Sequence, residues 1–343
     1  MNQGRELFSA LPTSHFLALV RTMQIWYSTM TEISLVRRPV TSKNLQINRK
    51  YRWLPFWLLL PAIVILLALQ VYPTLYSVYL STTRVRRGEF QSVGLRNFER
   101  LLDPANVSFR ESLQNTLIYT GSYIILTVSI GLGLALLLNR RYKFTGIYLV
   151  IIFIPWVISD VVAGTMWRWL WQPTYGLLQN TLNNLTPNLG DLYTSAGGAM
   201  AIVVVAAVWR GLAFTTLLSL SALQTVPNEI LESASLDGAN RFQRFFSIIL
   251  PQIRPNLLVM ILLTTIQGIN SVGLIFSITR GGPGGATRTA AYYLLQTAWE
   301  QGDFGLGAAT SVMLFFINMV LTIMYINLLG RTRKSWERTD GYL

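Results

Sequence analysis

Residues Val226 to Pro255 read VPNEILESASLDGANRFQRFFSIILPQIRP, a polar segment between two long apolar stretches. A helix can begin at Pro227, because a first turn does not use the N–H that proline lacks. Glu229 and Glu232 follow near the positive end of that helix, where a negative charge is stabilised. Gly238 then ends the helix, since glycine enters the left-handed region without strain. The first half of the segment therefore predicts a short, capped helix.

The second half of the segment favours another helix after the glycine turn. Asn240 is a preferred helix-capping residue, and the segment from Arg241 to Leu250 follows it. Pro251 is expected to break or kink this second helix, because a helix interior has no place for its ring. We refer to residues 226–255 as the hairpin. It is tethered at both ends to apolar stretches, and we expect it to dock against a partner.

The composition is typical of a membrane protein. Hydrophobic residues make up 52% of the chain, charged residues make up 13%, and the mean hydropathy is +0.41. Soluble domains carry about 25% charged residues. The net charge of +13 flanks the apolar stretches and is not gathered in one patch. This pattern argues against nucleic-acid binding and indicates a lipid bilayer as the surroundings.

Catalytic and metal-binding patterns are missing from the sequence. The chain has no cysteine and a single histidine, His15, which excludes disulfides, thiolate catalysis and cysteine-ligated metals. It also lacks a phosphate-binding G-x-x-x-x-G-K-[ST] loop, an H-E-x-x-H motif and a nucleophile elbow. Gly131 and Gly133 form a G-x-G pair, but inside an apolar stretch, which favours close helix packing. We predict that the chain is not an enzyme and itself binds no metal or cofactor.

Six apolar stretches are long enough to cross a hydrocarbon core, which takes about 20 helical residues. They are Pro55–Tyr79, Thr116–Leu138, Ile147–Trp171, Ala199–Leu220, Leu257–Ile278 and Gly307–Leu329. The sequence therefore predicts an all-α polytopic membrane protein with six transmembrane helices. Its parts are a basic N-terminal region in residues 1–53, a transmembrane domain in residues 54–330 and a C-terminal tail in residues 331–343.

The distribution of Lys and Arg predicts the orientation. With the N-terminus in the cytosol, 18 of the 28 basic residues fall on the cytosolic side and 8 on the outside, and Arg168 and Arg210 fall within spans. Cytosolic segments normally carry the excess of positive charge. Both termini and the hairpin, which connects helices 4 and 5, are therefore expected to face the cytosol.

The hairpin carries a spaced motif: Glu232-Ser233-Ala234, three residues, Gly238, nine residues, and Ile248-Ile249-Leu250-Pro251. This motif resembles the EAA-x3-G-x9-I-x-L-P signature of permease subunits of binding-protein-dependent ABC importers, and it departs from that signature only at Ser233. Further stretches resemble the sugar branch of that family, typified by the maltose and glycerol-phosphate permeases. They are Gly94–Phe98, Asn115-Thr116, Pro155-Trp156 and Thr279–Pro283. The resemblance covers roughly residues 55 to 330.

The resemblance implies that this chain transmits motion and does no chemistry. The hairpin would be a coupling helix that seats in a groove of an ATPase subunit. The coupling residues would be Glu232, Ser233, Ala234, Gly238, Leu250 and Pro251. Two ATPase subunits would bind ATP and Mg, a second permease would complete a heterodimer, and a soluble extracytoplasmic binding protein would deliver the solute. The assembly would lie in a bacterial or archaeal plasma membrane.

Polar residues inside spans are costly in hydrocarbon and therefore indicate a transport path. Arg210 lies about halfway along the fourth predicted span, and Asp160 in the third is a candidate partner. By the same resemblance, positions at matching distances from the signature line the sugar site. With Asn270 from the polar part of the fifth span, the expected path residues are Ala207, Arg210, Gly211, Phe214, Gln267, Gly268, Asn270 and Ser271. The alternative interpretation is that Arg210 pairs with the second permease subunit and that the fifth-span residues pack between helices.

The solute remains open at this point. Aromatic, amide and hydroxyl groups suit a di- or oligosaccharide, whereas Arg210 also suits glycerol phosphate or an acidic sugar. A secondary transporter is a more distant alternative, which would more typically show internal repeats or broken helices. The loop Gly281–Gly285 is expected either to contact the binding protein or shape an outer gate, or to be a plain turn.

Overall fold

The computed structural model describes residues 54–86, 89–139, 145–186 and 190–339 of the chain. The predicted N-terminal region in residues 1–53 and the last four residues of the predicted tail lie outside these ranges. The chain divides into two compact units, residues 1–68 and residues 69–343. In the first unit the structure describes helix α1, Leu54–Leu66.

The second unit is built almost entirely from helices and carries one short pair of antiparallel strands. Its α-helices and strands, in chain order, are α2 (Tyr72–Ser81), β1 (Thr83–Arg86), β2 (Glu89–Ser92), α3 (Arg96–Leu102), α4 (Val107–Leu138), α5 (Thr145–Val157), α6 (Asp160–Leu170), α7 (Leu177–Leu185), α8 (Ala196–Leu223), α9 (Asn228–Leu236), α10 (Arg241–Arg244), α11 (Leu250–Ile269), α12 (Gly273–Ile278), α13 (Ala290–Leu295) and α14 (Phe304–Thr339). Helix α14 therefore continues into the predicted C-terminal tail.

Within the described part of the chain, five helices are long and apolar enough to cross a membrane, and a bent pair of helices is a sixth candidate. The candidate spans are Phe56–Ser81, Val107–Leu138, the pair Thr145–Val157 and Asp160–Leu170, Ala196–Leu223, Arg241–Ile278 and Phe304–Gly330. The prediction of an all-α polytopic membrane protein is confirmed.

The third predicted span is not one straight helix. Helices α5 and α6 meet at an angle of 94°. Helix α5 ends at Val157, and α6 starts anew after Ser159, whose hydroxyl accepts a hydrogen bond from the backbone N–H of Val162 at 3.3 Å. A capping serine favours a new helix start, because it satisfies an N–H that has no partner within the helix. The span predicted over Ile147–Trp171 is therefore a bent pair of helices.

The second helix of the hairpin is longer than expected. Helix α10 passes through a π-turn, Phe245–Ile249, into α11, so that one candidate span runs from Arg241 to Ile278. The wider π-turn accommodates Pro251 just after it, where the ring of proline would clash with an α-helical turn. Of the two expectations for Pro251, a break is not found, and the predicted span Leu257–Ile278 lies within this longer one.

The core of the second unit lies between α4, α8 and α12. The largest buried cluster includes Tyr119 from α4, Val203 and Ala206 from α8, and Ile275 from α12. Helix α6 contributes Ala163, which is fully buried in the same cluster. The helices that carry the expected path residues are thus packed directly against one another.

The asparagines of the sugar-branch stretches tie neighbouring elements together. The side-chain amide of Asn97, which is buried, donates hydrogen bonds to the carbonyls of Ser81 and Thr83, both at 2.9 Å. The amide of Asn115 donates to the carbonyl of Gly285 at 2.9 Å. The loop Gly281–Gly285 is therefore anchored to α4 by its last residue.

Candidate functional site

A cavity of about 480 Å³ opens between α4, α5, α8 and the junction of α11 with α12. Its walls combine aromatic, hydroxyl, amide and charged groups with small apolar residues. The lining residues are Tyr119, Tyr123, Trp156, Asp160, Ala207, Arg210, Gly211, Ile266, Gln267, Asn270, Ser271, Val272, Gly273 and Leu274. Such a mixture can bind a polar organic solute by hydrogen bonds and ring contacts.

Six of the eight residues expected to form the transport path line this cavity. They are Ala207, Arg210, Gly211, Gln267, Asn270 and Ser271. On α8, Arg210 and Gly211 lie one helical turn after Ala207. The other three residues lie at the end of α11 or just after it. The structure therefore brings together two groups that are more than 50 residues apart in the sequence.

Phe214 and Gly268 do not line the cavity. Phe214 is half-buried on α8 outside it. Gly268 is buried against α4, where an added Cβ atom would lie 2.9 Å from the methyl carbon of Thr120. Gly268 thus permits α11 and α4 to approach each other closely, which is a packing role.

Two tyrosines from α4 complete the polar wall, and the sequence analysis missed them. The hydroxyl of Tyr119 donates to Ser271 Oγ at 3.0 Å, and the hydroxyl of Tyr123 donates to Gln267 Oε1 at 3.4 Å. Residues four apart share one helix face, and the two rings stack with centroids 6.2 Å apart. The spacing of four residues within one predicted span was the signal that the sequence offered.

Gly211 makes room for one of these rings. A Cβ atom at this position would lie 2.6 Å from the hydroxyl oxygen of Tyr123 and 3.0 Å from the methyl carbon of Thr127. Any larger residue would push Tyr123 away from Gln267. Gly211 therefore shapes the cavity through the space that it leaves free.

Arg210 is bound on two sides at the break between α5 and α6. One amino group of its guanidinium makes a salt bridge with Asp160, and the other donates to the carbonyl oxygen of Ile158 at 2.7 Å. The break leaves this carbonyl outside a regular helix, and Arg210 supplies its donor. The candidate pairing of Arg210 with Asp160 is confirmed. The ionic partner of Arg210 therefore belongs to this chain, whereas the alternative interpretation placed it in the second permease subunit.

Helix α6 is held against α12 by small residues. An added Cβ atom at Gly273 would lie 2.5 Å from the Cβ atom of Asp160, and one at Gly164 would lie 2.5 Å from the Cβ atom of Ser277. The two glycines thus let backbone approach backbone over the length of α12. This contact fixes Asp160 at the wall of the cavity, opposite the polar end of α11.

The hairpin has the turn that the sequence predicts. Gly238 has a φ angle of 80°, and the N–H of Ala239 donates to the carbonyl of Ala234 at 2.9 Å, which closes the end of α9. Asn240 and Gln243 cap α10 reciprocally, at 2.9 Å and 2.8 Å. The predicted glycine turn and asparagine cap are confirmed.

The expected coupling residues differ in exposure. Glu232, Ser233, Gly238 and Pro251 are exposed, Leu250 is half-buried and Ala234 is 9% exposed. Four large apolar side chains of the hairpin also face outward: Ile230 is 41% exposed, Leu236 89%, Phe242 77% and Phe246 60%. Ala234 is turned toward its own chain, whereas the apolar residues of α9 and α10 form a surface with room for a partner.

Residues 125–334 match the family described as "Binding-protein-dependent transport system inner membrane component". This match spans more than half of the chain and includes the whole hairpin, most of the cavity and the break between α5 and α6. The chain belongs to this family. It is a multi-pass inner-membrane permease, a transport component and not a catalytic enzyme.

Named relatives are similar to this permease over most of their lengths. The trehalose/maltose transport permease of Thermococcus litoralis is 34% identical over 85% of this chain and 99% of the relative. The arabinooligosaccharides transport permease of Halalkalibacterium halodurans is 32% identical over 90% and 97%. The sn-glycerol-3-phosphate transport permease of Agrobacterium fabrum is 31% identical over 78% and 92%.

The fold of the permease is found in a solved structure. A chain of a bacterial alginate ABC transporter, in complex with a pentasaccharide-bound periplasmic protein, superposes with a TM-score of 0.72. The two chains are 21% identical, and the similarity covers 84% of this chain and 97% of the other. At this identity the likeness establishes a shared fold.

Proposed function

We propose that this permease is the membrane-spanning subunit of an ATP-driven importer and forms half of the translocation path for a di- or oligosaccharide. The observation that carries the proposal is the cavity at the middle of the spans. Its tyrosine, tryptophan, serine and amide groups suit a molecule with many hydroxyls, which hydrogen-bonds at its edge and packs against rings on its faces. The carbohydrates in the names of two relatives support the same solute class.

The hairpin is proposed to connect the permease to an ATPase subunit. Glu232, Ser233 and the outward apolar residues would enter a groove of that subunit, Gly238 would form the reversal, and Ala234 would support the contact from its inner side. Leu250 and Pro251 would fix the start of the long fifth span, so that a push on the hairpin moves the helix that carries Gln267 and Ser271. ATP and Mg would bind to the partner subunit.

The complete importer would contain two ATPase subunits, a second permease that forms a heterodimer with this one, and an extracytoplasmic binding protein that delivers the solute. In this arrangement the termini and the hairpin face the cytosol. The excess of Lys and Arg on that side supports the orientation.

Two other functions have an observation in their favour. Glycerol phosphate or an acidic sugar is supported by Arg210 and by the glycerol-phosphate relative. A secondary transporter would account for the 94° break in the third span, because broken spans are typical of that class. Membership of the binding-protein-dependent family favours the importer over the secondary transporter.

Uptake by the reconstituted importer tests the proposal. Arg210→Ala should reduce uptake of a labelled disaccharide while the chain still inserts and assembles, because the cavity loses a charged donor and the break loses its tie. Arg168→Ala is the matched control, since Arg168 lies on α6 outside the cavity and should leave uptake near the wild-type rate. Purification of an active transporter without any ATPase, or normal uptake by Arg210→Ala, would contradict the proposal.

A further inference from the structure

We propose that Asp160 determines the charge class of the solute and makes the path selective for uncharged carbohydrates. Asp160 does this by occupying the guanidinium of Arg210, which would otherwise recruit anions. The inference rests on the proposed transport function and specifies its substrate class. It assigns Asp160 a role in specificity that goes beyond pairing a buried charge.

Both amino groups of Arg210 already donate hydrogen bonds within the protein. Arginine recognises carboxylate and phosphate groups with two parallel N–H donors. In this cavity one amino group is engaged by Asp160 and the other by the carbonyl of Ile158, and the Nε atom is buried. An anionic solute that binds both amino groups in parallel would have to compete with Asp160 and with the carbonyl that ties the break between α5 and α6. A neutral solute has no such requirement.

The charges on the described wall of the cavity balance. Among the lining residues that the structure describes, Arg210 and Asp160 are the only charged ones, so the wall carries one positive and one negative group. The side chain of Asp160 is 41% exposed, whereas that of Arg210 is 21% exposed. The carboxylate is therefore the more accessible charge. It repels an approaching anion and accepts hydrogen bonds from hydroxyl groups.

Asp160 is held in place by its helix and by a neighbouring helix. It occupies the first position of α6, where a negative side chain complements the helix dipole. Gly273 lies so close that its added Cβ atom would come within 2.5 Å of the Cβ atom of Asp160. The same added Cβ atom would lie 2.8 Å from Oδ2 of Asp160, whereas Oδ1 faces Arg210, so α12 packs directly against the carboxylate. The pair is held by packing from two spans as well as by its own attraction.

The remaining polar groups of the wall fit an uncharged polyol. Tyr119 with Ser271, and Tyr123 with Gln267, form hydroxyl and amide pairs that can exchange hydrogen bonds with a sugar. Trp156, which is 48% exposed, offers a ring face to the apolar side of a sugar.

The test compares two probes that differ by one phosphate group, trehalose and trehalose 6-phosphate. Their binding to the complete importer in nanodiscs, without the binding protein, is measured by saturation-transfer NMR. The wild type should bind trehalose at least about tenfold more tightly. Asp160→Asn should raise the affinity for trehalose 6-phosphate by about tenfold, because Arg210 becomes available. The double variant Asp160→Asn/Arg210→Gln should abolish that gain.

Asp303→Asn is the matched control, because it breaks another Arg–Asp pair, Arg100 with Asp303 at 2.9 Å, outside the cavity. It should leave the preference unchanged. Asp160→Glu, which keeps the charge, should retain the preference for trehalose. Equal or tighter binding of trehalose 6-phosphate by the wild type overturns the inference even if Asp160→Asn fails to fold, and so does an unchanged preference in Asp160→Asn. If neither the wild type nor any variant binds either probe, the proposed carbohydrate function is overturned, and the inference with it.

Discussion

At the scale of single residues, two glycines on α4 have different surroundings although only one residue separates them. Gly131 is buried, and an added Cβ atom would lie 2.8 Å from the Cβ atom of Thr215 on α8. Gly133 is exposed, and no atom lies within 4 Å of such a Cβ atom. The close packing expected of the G-x-G pair is thus confirmed for Gly131 and not found for Gly133.

We predict that Gly131→Ala destabilises the permease by about 1–3 kcal/mol, the usual effect of overpacking a dense core. Thr215 cannot rotate away easily, because its hydroxyl is buried and donates to the carbonyl of Thr127 at 3.1 Å. Thermal unfolding of the purified complex, followed by tryptophan fluorescence, measures the effect. Gly133→Ala is the control and should unfold at the wild-type temperature. Equal unfolding temperatures for the two variants would refute the packing role of Gly131.

The sequence predicted the polar cavity residues of α8 and of the end of α11, and it missed those that α4 and α5 contribute. Ala207, Arg210 and Gly211 could be predicted because helical periodicity and the motif offset place them together. Phe214 continues the same periodicity but does not line the cavity, since a helix face is wider than the cavity wall. Trp156 reaches the cavity through tertiary packing, which no local pattern encodes.

At the scale of elements, the bend between α5 and α6 and the π-turn before Pro251 explain most of the differences between prediction and structure. Hydropathy reports the total length of an apolar stretch and is insensitive to its direction. The 94° bend between α5 and α6 therefore left no trace in the apolar pattern of Ile147–Trp171. The only local signs were Pro155 and the capping Ser159, which are also compatible with a single kinked helix.

The glycine turn of the hairpin permits a second prediction at this scale. Gly238 has a φ angle of 80° and no atom within 4 Å of an added Cβ atom, so a larger residue there is disfavoured only by its backbone conformation. That penalty is about 1–2 kcal/mol for an L-residue. Gly238→Val should therefore leave insertion intact and misalign α9 with α10. We expect hydrolysis of ATP to continue while uptake falls about 5–30-fold, as that free energy implies.

The ratio of ATP hydrolysed to solute imported, measured in proteoliposomes, is the readout for Gly238→Val. Gly238→Asn is the matched control, because asparagine adopts the left-handed conformation more readily than valine. It should retain most of the coupling. A normal ratio in the valine variant would show that the turn does not transmit motion between the ATPase and the fifth span.

At the scale of the whole molecule, one helix connects the hairpin to the edge of the cavity, because α10 continues through the π-turn into α11 as far as Ile269. The span Arg241–Ile278 begins within the hairpin and ends beyond Gln267 and Ser271, and α4 and α8 pack beside it. Under the proposed mechanism, a displacement of the hairpin would reach the cavity through this helix. The sequence predicts a break or a kink at Pro251, and the structure continues the helix through a π-turn just before this residue.

The orientation of the permease in the membrane yields the last prediction. The chain has no cysteine, so a single introduced cysteine can be labelled without background. Ser233 lies on the hairpin and Gln91 on β2, and both are exposed. In right-side-out vesicles without the ATPases, a membrane-impermeant maleimide should label Gln91→Cys, and should label Ser233→Cys only after permeabilisation. Thr127→Cys, which is buried, should remain unlabelled under both conditions.

Co-expression of the ATPase subunits turns the same labelling into a test of docking. Glu232 and Ser233 stand outward on α9 beside the exposed Leu236, so a subunit seated on the hairpin would cover them. After permeabilisation, Ser233→Cys should then react much more slowly, whereas Gln91→Cys should react as before. Labelling of Ser233→Cys in sealed vesicles would reverse the orientation. Unchanged labelling of Ser233→Cys with the ATPases present would place their contact elsewhere on the permease.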